Sequence, residues 1–240
     1  MFIATVSNQR SGTKLLGSLL GSSGIVLPVG EIFNPDVDLL FSFKSFLKLK
    51  GLDAVFSQGS EPTITEYFNN INHLKDIVHF DLMFNQLEYT CLSWSEYAHP
   101  FMYSHMKNMR FFVILLTRDP MEIFISNKIL ELTGLPHTYE SEEDADEKRH
   151  VLDLKRSEFD SFRTKLAHHY SLARSSFTGY PFFYEIDYGE LQTTGLPSEL
   201  FALMRVNAHF FENEFDWQSF PPQKTKLKKT MSQPEIRWHS

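Results

Sequence analysis

Four short apolar runs constrain this chain's fold more than any other feature: Phe2-Ile3-Ala4-Thr5-Val6, Ile77-Val78-His79-Phe80, Phe111-Phe112-Val113-Ile114-Leu115-Leu116 and Phe182-Phe183-Tyr184-Glu185-Ile186. A strand with one wet face alternates apolar and polar residues. The clearest of these runs do not alternate, which suits strands covered on both faces, as in a parallel sheet. Gly24-Ile25-Val26-Leu27 is a weaker fifth candidate. Between the runs lie helical patterns: Leu15, Leu16, Leu19 and Leu20, then Leu39, Leu40, Phe43, Phe46 and Leu47, then a long segment from about Lys155 to Phe177. Strand alternating with helix predicts an α/β fold with a central parallel sheet flanked by helices. No repeat and no Gly/Ser or Pro linker divides the chain, so residues 1–240 read as a single domain.

Composition supplies the material and excludes some partners. Aromatics are 15% of the chain, including 23 Phe, which is ample for a buried core and excludes global disorder. Lys and Arg number 23 against 30 Asp and Glu, a net charge of −7, so overall charge does not draw the chain to nucleic acid or to an anionic membrane. The longest stretch without an ionised side chain, between Lys14 and Glu31, holds 16 residues and several are Gly or Ser. A membrane span takes roughly 20 apolar residues, so none is expected. The single cysteine, Cys91, excludes an intramolecular disulfide and a cysteine-rich zinc site. No basic residue precedes the first apolar run, so no secretory signal is read and a cytoplasmic location is the expectation. If the chain associates, a homodimer is the commonest form.

Two segments look irregular. Six carboxylates fall in the eight residues from Glu140 to Glu147, so residues from about 139 to 150 read as a solvated acidic loop, or as a mobile lid. The segment from about 221 to 240 opens on Pro221 and Pro222, carries Lys224, Lys226, Lys228 and Lys229, and shows little periodicity.

The opening strand runs into Ser7-Asn8-Gln9-Arg10-Ser11-Gly12-Thr13-Lys14, and an amphipathic helix follows at once. A strand, a turn of small residues and a helix N-terminus aim several backbone N–H groups at one point, which favours an anion. Gly12 permits close approach of a phosphate, Ser11 and Thr13 add hydroxyls, and Arg10 adds a permanent charge with two-pronged geometry. The same residues also read as an ordinary turn capped by Ser11. A nucleoside triphosphate loop would read G-x-x-x-x-G-K-[ST]; here the opening glycine is missing, Thr-Lys-Leu follows Gly12, and no acidic strand end that could hold a metal stands out.

A second signal follows the strand at 111–116, which runs into Thr117-Arg118-Asp119-Pro120-Met121-Glu122. Asp119 as N-cap, Pro120 at the first helical position and Glu122 three residues after the cap mark a helix start. Arg118 is thereby placed at the carboxyl end of a strand, where open α/β sheets bind ligands. Ser126 lies seven residues past the cap, about two turns on, and shares its face. Arg118 on its own reads equally as a member of a surface ion pair.

Together these residues resemble the sulfotransferases that use 3'-phosphoadenosine 5'-phosphosulfate (PAPS). That family carries a [KR]-S-G-[TS]-[TS]-x-L core, seen here, apart from Lys14, as Arg10, Ser11, Gly12, Thr13, Lys14, Leu15 and Leu16, and an Arg and a Ser eight residues apart, matched by Arg118 and Ser126. The arginine form of the loop is similar to bacterial enzymes that act on carbohydrates and glycolipids, including the trehalose type. Tyr188-Gly189-Glu190-Leu191 resembles a Tyr-Glu-Asp-Leu turn of the family, and Lys228-Lys229-Thr230 resembles its C-terminal nucleotide-closing segment. Gln9 stands where Pro is usual, and Lys14 replaces the second hydroxyl residue. The resemblance implies a P-loop-like three-layer fold and transfer of a sulfuryl group from PAPS, without a metal, to a hydroxyl of a small-molecule, carbohydrate or glycolipid acceptor. It implies that Arg10, Ser11, Gly12, Thr13, Lys14 and Leu15 bind the 5'-phosphosulfate. It further implies that Arg118 and Ser126 bind the 3'-phosphate and that Lys228, Lys229 and Thr230 close over the nucleotide.

Arg10, with the loop amides, is the candidate stabiliser of charge on the leaving phosphate. Glu31, in Val29-Gly30-Glu31-Ile32-Phe33, is the candidate general base, at a position similar to that of glutamate-using members. Its apolar flanks would raise its pKa toward a useful value; it reads alternatively as a brace for the acceptor or the loop. His79 is the substitute base. The ten histidines are scattered, and no compact metal-ligand cluster is visible. Two other classes stay open: a P-loop kinase or nucleotide hydrolase, which predicts Mg²⁺ dependence, and a non-catalytic nucleotide-binding relative.

Overall fold

The computed structural model describes residues 1–36, 40–52, 61–89, 100–133, 151–208 and 235–239. Along these run β1 (Phe2–Ser7), α1 (Thr13–Gly21), β2 (Val26–Gly30), α2 (Phe43–Leu49), α3 (Glu61–Ile71), β3 (Ile77–Met83), a short 3-10 helix (Phe84–Tyr89), α4 (Phe101–Asn108) and β4 (Phe112–Thr117). The chain continues through α5 (Pro120–Thr133), β5 (Val151–Lys155), α6 (Arg156–Ser176), β6 (Phe183–Asp187), α7 (Tyr188–Thr194), α8 (Ser198–Ala208) and β7 (Glu235–His239). The described residues fall into two compact units. One comprises residues up to Thr117 together with Ser171 onward, and the other comprises Arg118–Tyr170 together with the strand β7.

The first unit is built on a five-stranded parallel sheet in the order β2-β3-β1-β4-β6. All five sequence-predicted strands are present in it, within one or two residues of their expected limits except where β2 extends to Gly30 and β3 to Met83. Both faces of the sheet are covered. On one, Ile3, Ile77, Phe112, Ile114 and Leu116 pack with Leu16, Leu19 and Leu20 of α1 and Leu200 and Met204 of α8. On the other, Phe2, Phe80 and Phe111 meet Phe68 of α3, with ring centroids 4.7–5.5 Å apart for Phe2–Phe111, Phe68–Phe111 and Phe68–Phe80. Each such ring contributes about 1.5–3 kcal/mol by leaving water, and edge-on pairs add roughly 0.5–1.5 kcal/mol. These two covered faces explain why the runs do not alternate. The fold is α/β, with a central parallel sheet flanked by helices.

Strand order positions the functional loops. The chain leaves β1 toward β2 and β3 on one side, then returns past β1 to β4 and β6 on the other. The carboxyl ends of β1 and β4 are therefore the reversal point at which open α/β sheets bind ligands. Ser7 at the end of β1 donates its hydroxyl to the Leu116 carbonyl of β4 at 2.8 Å, which ties these ends together.

The second unit has its own core of Phe124, Ile129, Leu152, Leu154 and Phe159, with Phe162 and Ile236 against it. Its two strands, β5 and β7, pair in parallel from Val151↔Glu235 to Lys155↔His239. Neither strand was expected. The region of 221–240 read as unpatterned includes β7, and the long helix begins at Arg156, one residue beyond the expected start, because Val151–Lys155 pairs instead. The acidic segment 139–150, Cys91, and Lys228, Lys229 and Thr230 lie outside the described residues. Among the described residues, no helix is long and apolar enough to cross a membrane.

Candidate active site

The loop after β1 has the backbone of an anion cradle. Arg10 has φ 66° and Gly12 has φ 95°, with Ser11 between them on the ordinary side. Alternation of left- and right-handed residues turns successive N–H groups toward one point. A left-handed conformation is uncommon for a residue with a side chain, so Arg10 holds its place at some cost in strain. Ser11 spends its N–H on the Asn8 carbonyl at 3.3 Å, while the amides of Gly12, Thr13 and Lys14 have no acceptor among the described residues. The helix α1 starts on Gly12 as a left-handed N-cap with no side-chain cap bond. The Ser11 cap that the ordinary-turn reading requires is therefore not made. Its hydroxyl is fully buried and without a partner among the described residues. An unpaired buried hydroxyl costs about 1–3 kcal/mol, a cost that an arriving acceptor removes.

Gly12 is required here for two reasons. Its φ disfavours a side chain, and a Cβ would lie 2.2 Å from Cδ2 and Cε2 of the Tyr188 ring. That ring belongs to the first residue of α7, whose N-cap Asp187 accepts from the Gly189 N–H at 2.8 Å. The Tyr188-Gly189-Glu190-Leu191 segment thus opens a helix, and its tyrosine packs directly on the loop. Thr13 is buried at the start of α1, Lys14 is exposed, and Leu15 packs against the core.

Glu31 follows β2 and is half-buried. Its Oε2 accepts from Asn34 Nδ2 at 2.9 Å and from Gln86 Nε2 at 2.7 Å. Gln86 is buried and is itself fixed by accepting the Met83 N–H at 3.2 Å. Both donors meet one oxygen, so Oε1 carries no hydrogen bond from the described residues and is the atom able to receive a proton.

One residue of this cluster escaped the sequence reading. The strand β3 continues past its expected end at Phe80, and Asp81 lies within it, in register with Thr5 of β1. It is an acidic residue on the strand beside the loop, where the sequence showed none that stood out. Asp81 is 5% exposed, and its Oδ1 has no hydrogen-bond partner among the described residues. Burial pushes its carboxyl up to about 7; the neighbouring charge of Glu31 adds to the rise, and a hydrogen bond from the Thr13 hydroxyl opposes it.

His79, the substitute base, lies two residues earlier on the same strand and is fully buried. Its Nε2 is 2.7 Å from Thr5 Oγ1, and burial lowers its pKa to about 3. A ring so enclosed is neutral near pH 7.

Arg118 and Ser126 belong to the second unit. Asp119 caps α5 as expected, accepting the Met121 and Glu122 N–H groups at 2.8 and 3.0 Å. Glu122 directs its carboxylate to Arg118 Nε at 2.9 Å, so the arginine takes part in an i,i+4 ion pair. The Arg118 N–H donates to the Tyr170 hydroxyl at 3.3 Å. Ser126 is half-buried on α5. Among the described residues, no group of three or more His, Cys, Asp or Glu is placed to hold a metal ion.

No protein-family model matches this chain. No curated protein matches it either. Among solved structures, a shikimate kinase from Bacteroides thetaiotaomicron is similar at 11% identity and a TM-score of 0.38, over 89% of this chain and 99% of the kinase. A mouse sulfotransferase, SULT7A1, solved in complex with PAP, is similar at 13% identity and a TM-score of 0.42, over 90% of this chain and 61% of that one. A sulfotransferase from Alicyclobacillus acidocaldarius is similar at 13% identity and a TM-score of 0.42, over 89% of this chain and 82% of that one.

Proposed function

We propose that this chain is a PAPS-dependent sulfotransferase acting on a hydroxyl of a small-molecule, carbohydrate or glycolipid acceptor. The observation that carries the reading is the loop after β1. Its backbone alternates in hand, its amides at Gly12, Thr13 and Lys14 are uncommitted among the described residues, and it holds a buried, unpartnered Ser11 hydroxyl beside Arg10. Such a loop suits a phosphosulfate, and its sequence has the [KR]-S-G-[TS] core of these enzymes. The donor supplies the sulfuryl group. Arg10 and the loop amides stabilise negative charge on the leaving phosphate, and Glu31 Oε1 receives the proton of the attacking hydroxyl. Arg118 and Ser126 are assigned to the 3'-phosphate, and Lys228, Lys229 and Thr230 to closure over the nucleotide, both on the sequence resemblance.

A second reading has one specific observation in its favour. A loop threonine beside a buried strand aspartate, as Thr13 and Asp81 stand, is also the pair that holds Mg²⁺ in P-loop kinases and hydrolases. Release of 3',5'-adenosine bisphosphate from PAPS, followed with a panel of sugar, glycolipid and phenolic hydroxyls in the presence of EDTA, separates the two. Acceptor-dependent release in EDTA is the expected result. Phosphoryl transfer from ATP that needs Mg²⁺, with PAPS inert, contradicts the proposal.

A further inference from the structure

Asn34 and Gln86 share one oxygen of Glu31 but come to it from different places. Asn34 belongs to the same turn as Glu31: its N–H donates to the Glu31 carbonyl at 3.0 Å, and its Oδ1 accepts the Asp36 N–H at 2.9 Å. Gln86 comes from the 3-10 helix after β3, 55 positions along the chain, and is 1% exposed. Its Oε1 accepts the Met83 N–H, which only the oxygen of the amide can do, so the nitrogen is the end that faces Glu31. Met83 is the last residue of β3 and stands in register with Ser7, the last residue of β1 and the root of the loop that carries Arg10. Glu31 itself lies just past the end of β2, whose last residue, Gly30, has φ 74° and follows a register shift against β3. The carboxylate thus stands beyond the strand ladder, and Gln86 links it to the end of the ladder nearest the loop.

We infer that Gln86 is a positioning residue that holds the Glu31 carboxylate in a fixed place relative to the loop after β1. The inference rests on the proposed function, in which Glu31 takes the acceptor's proton. A glutamate side chain swings on three rotatable bonds, and a charge-assisted bond at 2.7 Å from a buried, doubly bonded amide removes that freedom. While the amide N–H groups of Gln86 and Asn34 point at Oε2, that oxygen has no room for a hydrogen of its own, so the arriving proton goes to Oε1. Gln86 therefore decides which oxygen is the base and where it stands. Misplacement of such a group by about 1 Å can cost on the order of 10²-fold in rate.

Gln86→Met keeps the length and apolar bulk of the side chain and removes both hydrogen bonds of the amide. With PAPS and a hydroxyl of the panel that the wild type sulfates, kcat should fall by roughly 10–100-fold, as for losing a bond to a charged group. Donor KM and the dissociation constant of 3',5'-adenosine bisphosphate should stay within about twofold, since a positioned base acts on the chemical step. In a Glu31→Gln background the same substitution should cost less than about threefold, because the base it serves is gone. An unchanged kcat, a higher donor KM with kcat intact, or an equal fall in both backgrounds overturns the inference and leaves the sulfotransferase reading standing. A second measurement needs no Gln86 variant to fold: the side-chain amide hydrogens of Gln86 are followed by NMR in the wild type and in Glu31→Gln. One of them should lie downfield and exchange slowly in the wild type, and move upfield when the acceptor loses its charge. Identical amide signals in the two chains overturn the inference. Absence of PAPS-dependent turnover by the wild type with every acceptor overturns the proposed function and this inference together.

Discussion

Glu31→Gln should leave donor affinity nearly unchanged while lowering turnover by roughly 10²–10⁴, the usual range for losing a positioned base. The hydrogen bonds make this substitution unusually clean. Asn34 and Gln86 both donate to Oε2, and a glutamine oxygen can accept both bonds in the same place. The new amide nitrogen then occupies the position of Oε1, where it cannot take a proton. The shape persists and the chemistry is lost. Steady-state rates at saturating donor, together with the dissociation constant of 3',5'-adenosine bisphosphate, measure the two quantities separately. Near-full activity in the variant removes Glu31 from the mechanism, whereas a collapse of nucleotide binding makes it a brace for the loop.

Arg10→Ala should also fall mainly on the rate, by about 10²–10³, as for the loss of one donor from a preorganised anion site. Its charge matters most when charge gathers on the leaving phosphate, so the interaction belongs to the transition state more than to the bound donor. The backbone introduces a complication, because Arg10 is left-handed at φ 66° and alanine inherits the strain. Arg10→Gly removes the side chain and the strain together. Equal rate losses in both variants assign the effect to the guanidinium. A rise in donor KM with the maximal rate intact would show that Arg10 only holds the ground state.

What could be read in the sequence divides along physical lines. The three central strands of the main sheet were legible because burial on both faces leaves runs such as Phe112–Leu116 apolar throughout. The Asp119 cap and the loop from Arg10 to Lys14 were legible because local backbone demands select their residues. The strands β5 and β7 were not, since each is five residues long and its partner lies more than 80 positions away. Asp81 was missed because a carboxyl after an apolar run looks like a strand's end. Its standing beside Thr5 is a matter of register, which no local pattern carries. Gln86 and Asn34 were missed for a related reason. They matter only because the turn after β2 and the helix after β3 bring them to one oxygen of Glu31.

The central claim, that the loop after β1 holds the phosphosulfate end of an adenosine nucleotide without a metal, is tested most directly by thermal unfolding of the intact chain with nucleotide in EDTA. At 100 times its dissociation constant, a ligand stabilises the folded chain by about 2.7 kcal/mol. The account predicts that 3',5'-adenosine bisphosphate raises Tm in EDTA, that Mg²⁺ adds little, and that ATP has a smaller effect with or without the metal. A rise in Tm seen only with Mg²⁺ and ATP or GTP would contradict it.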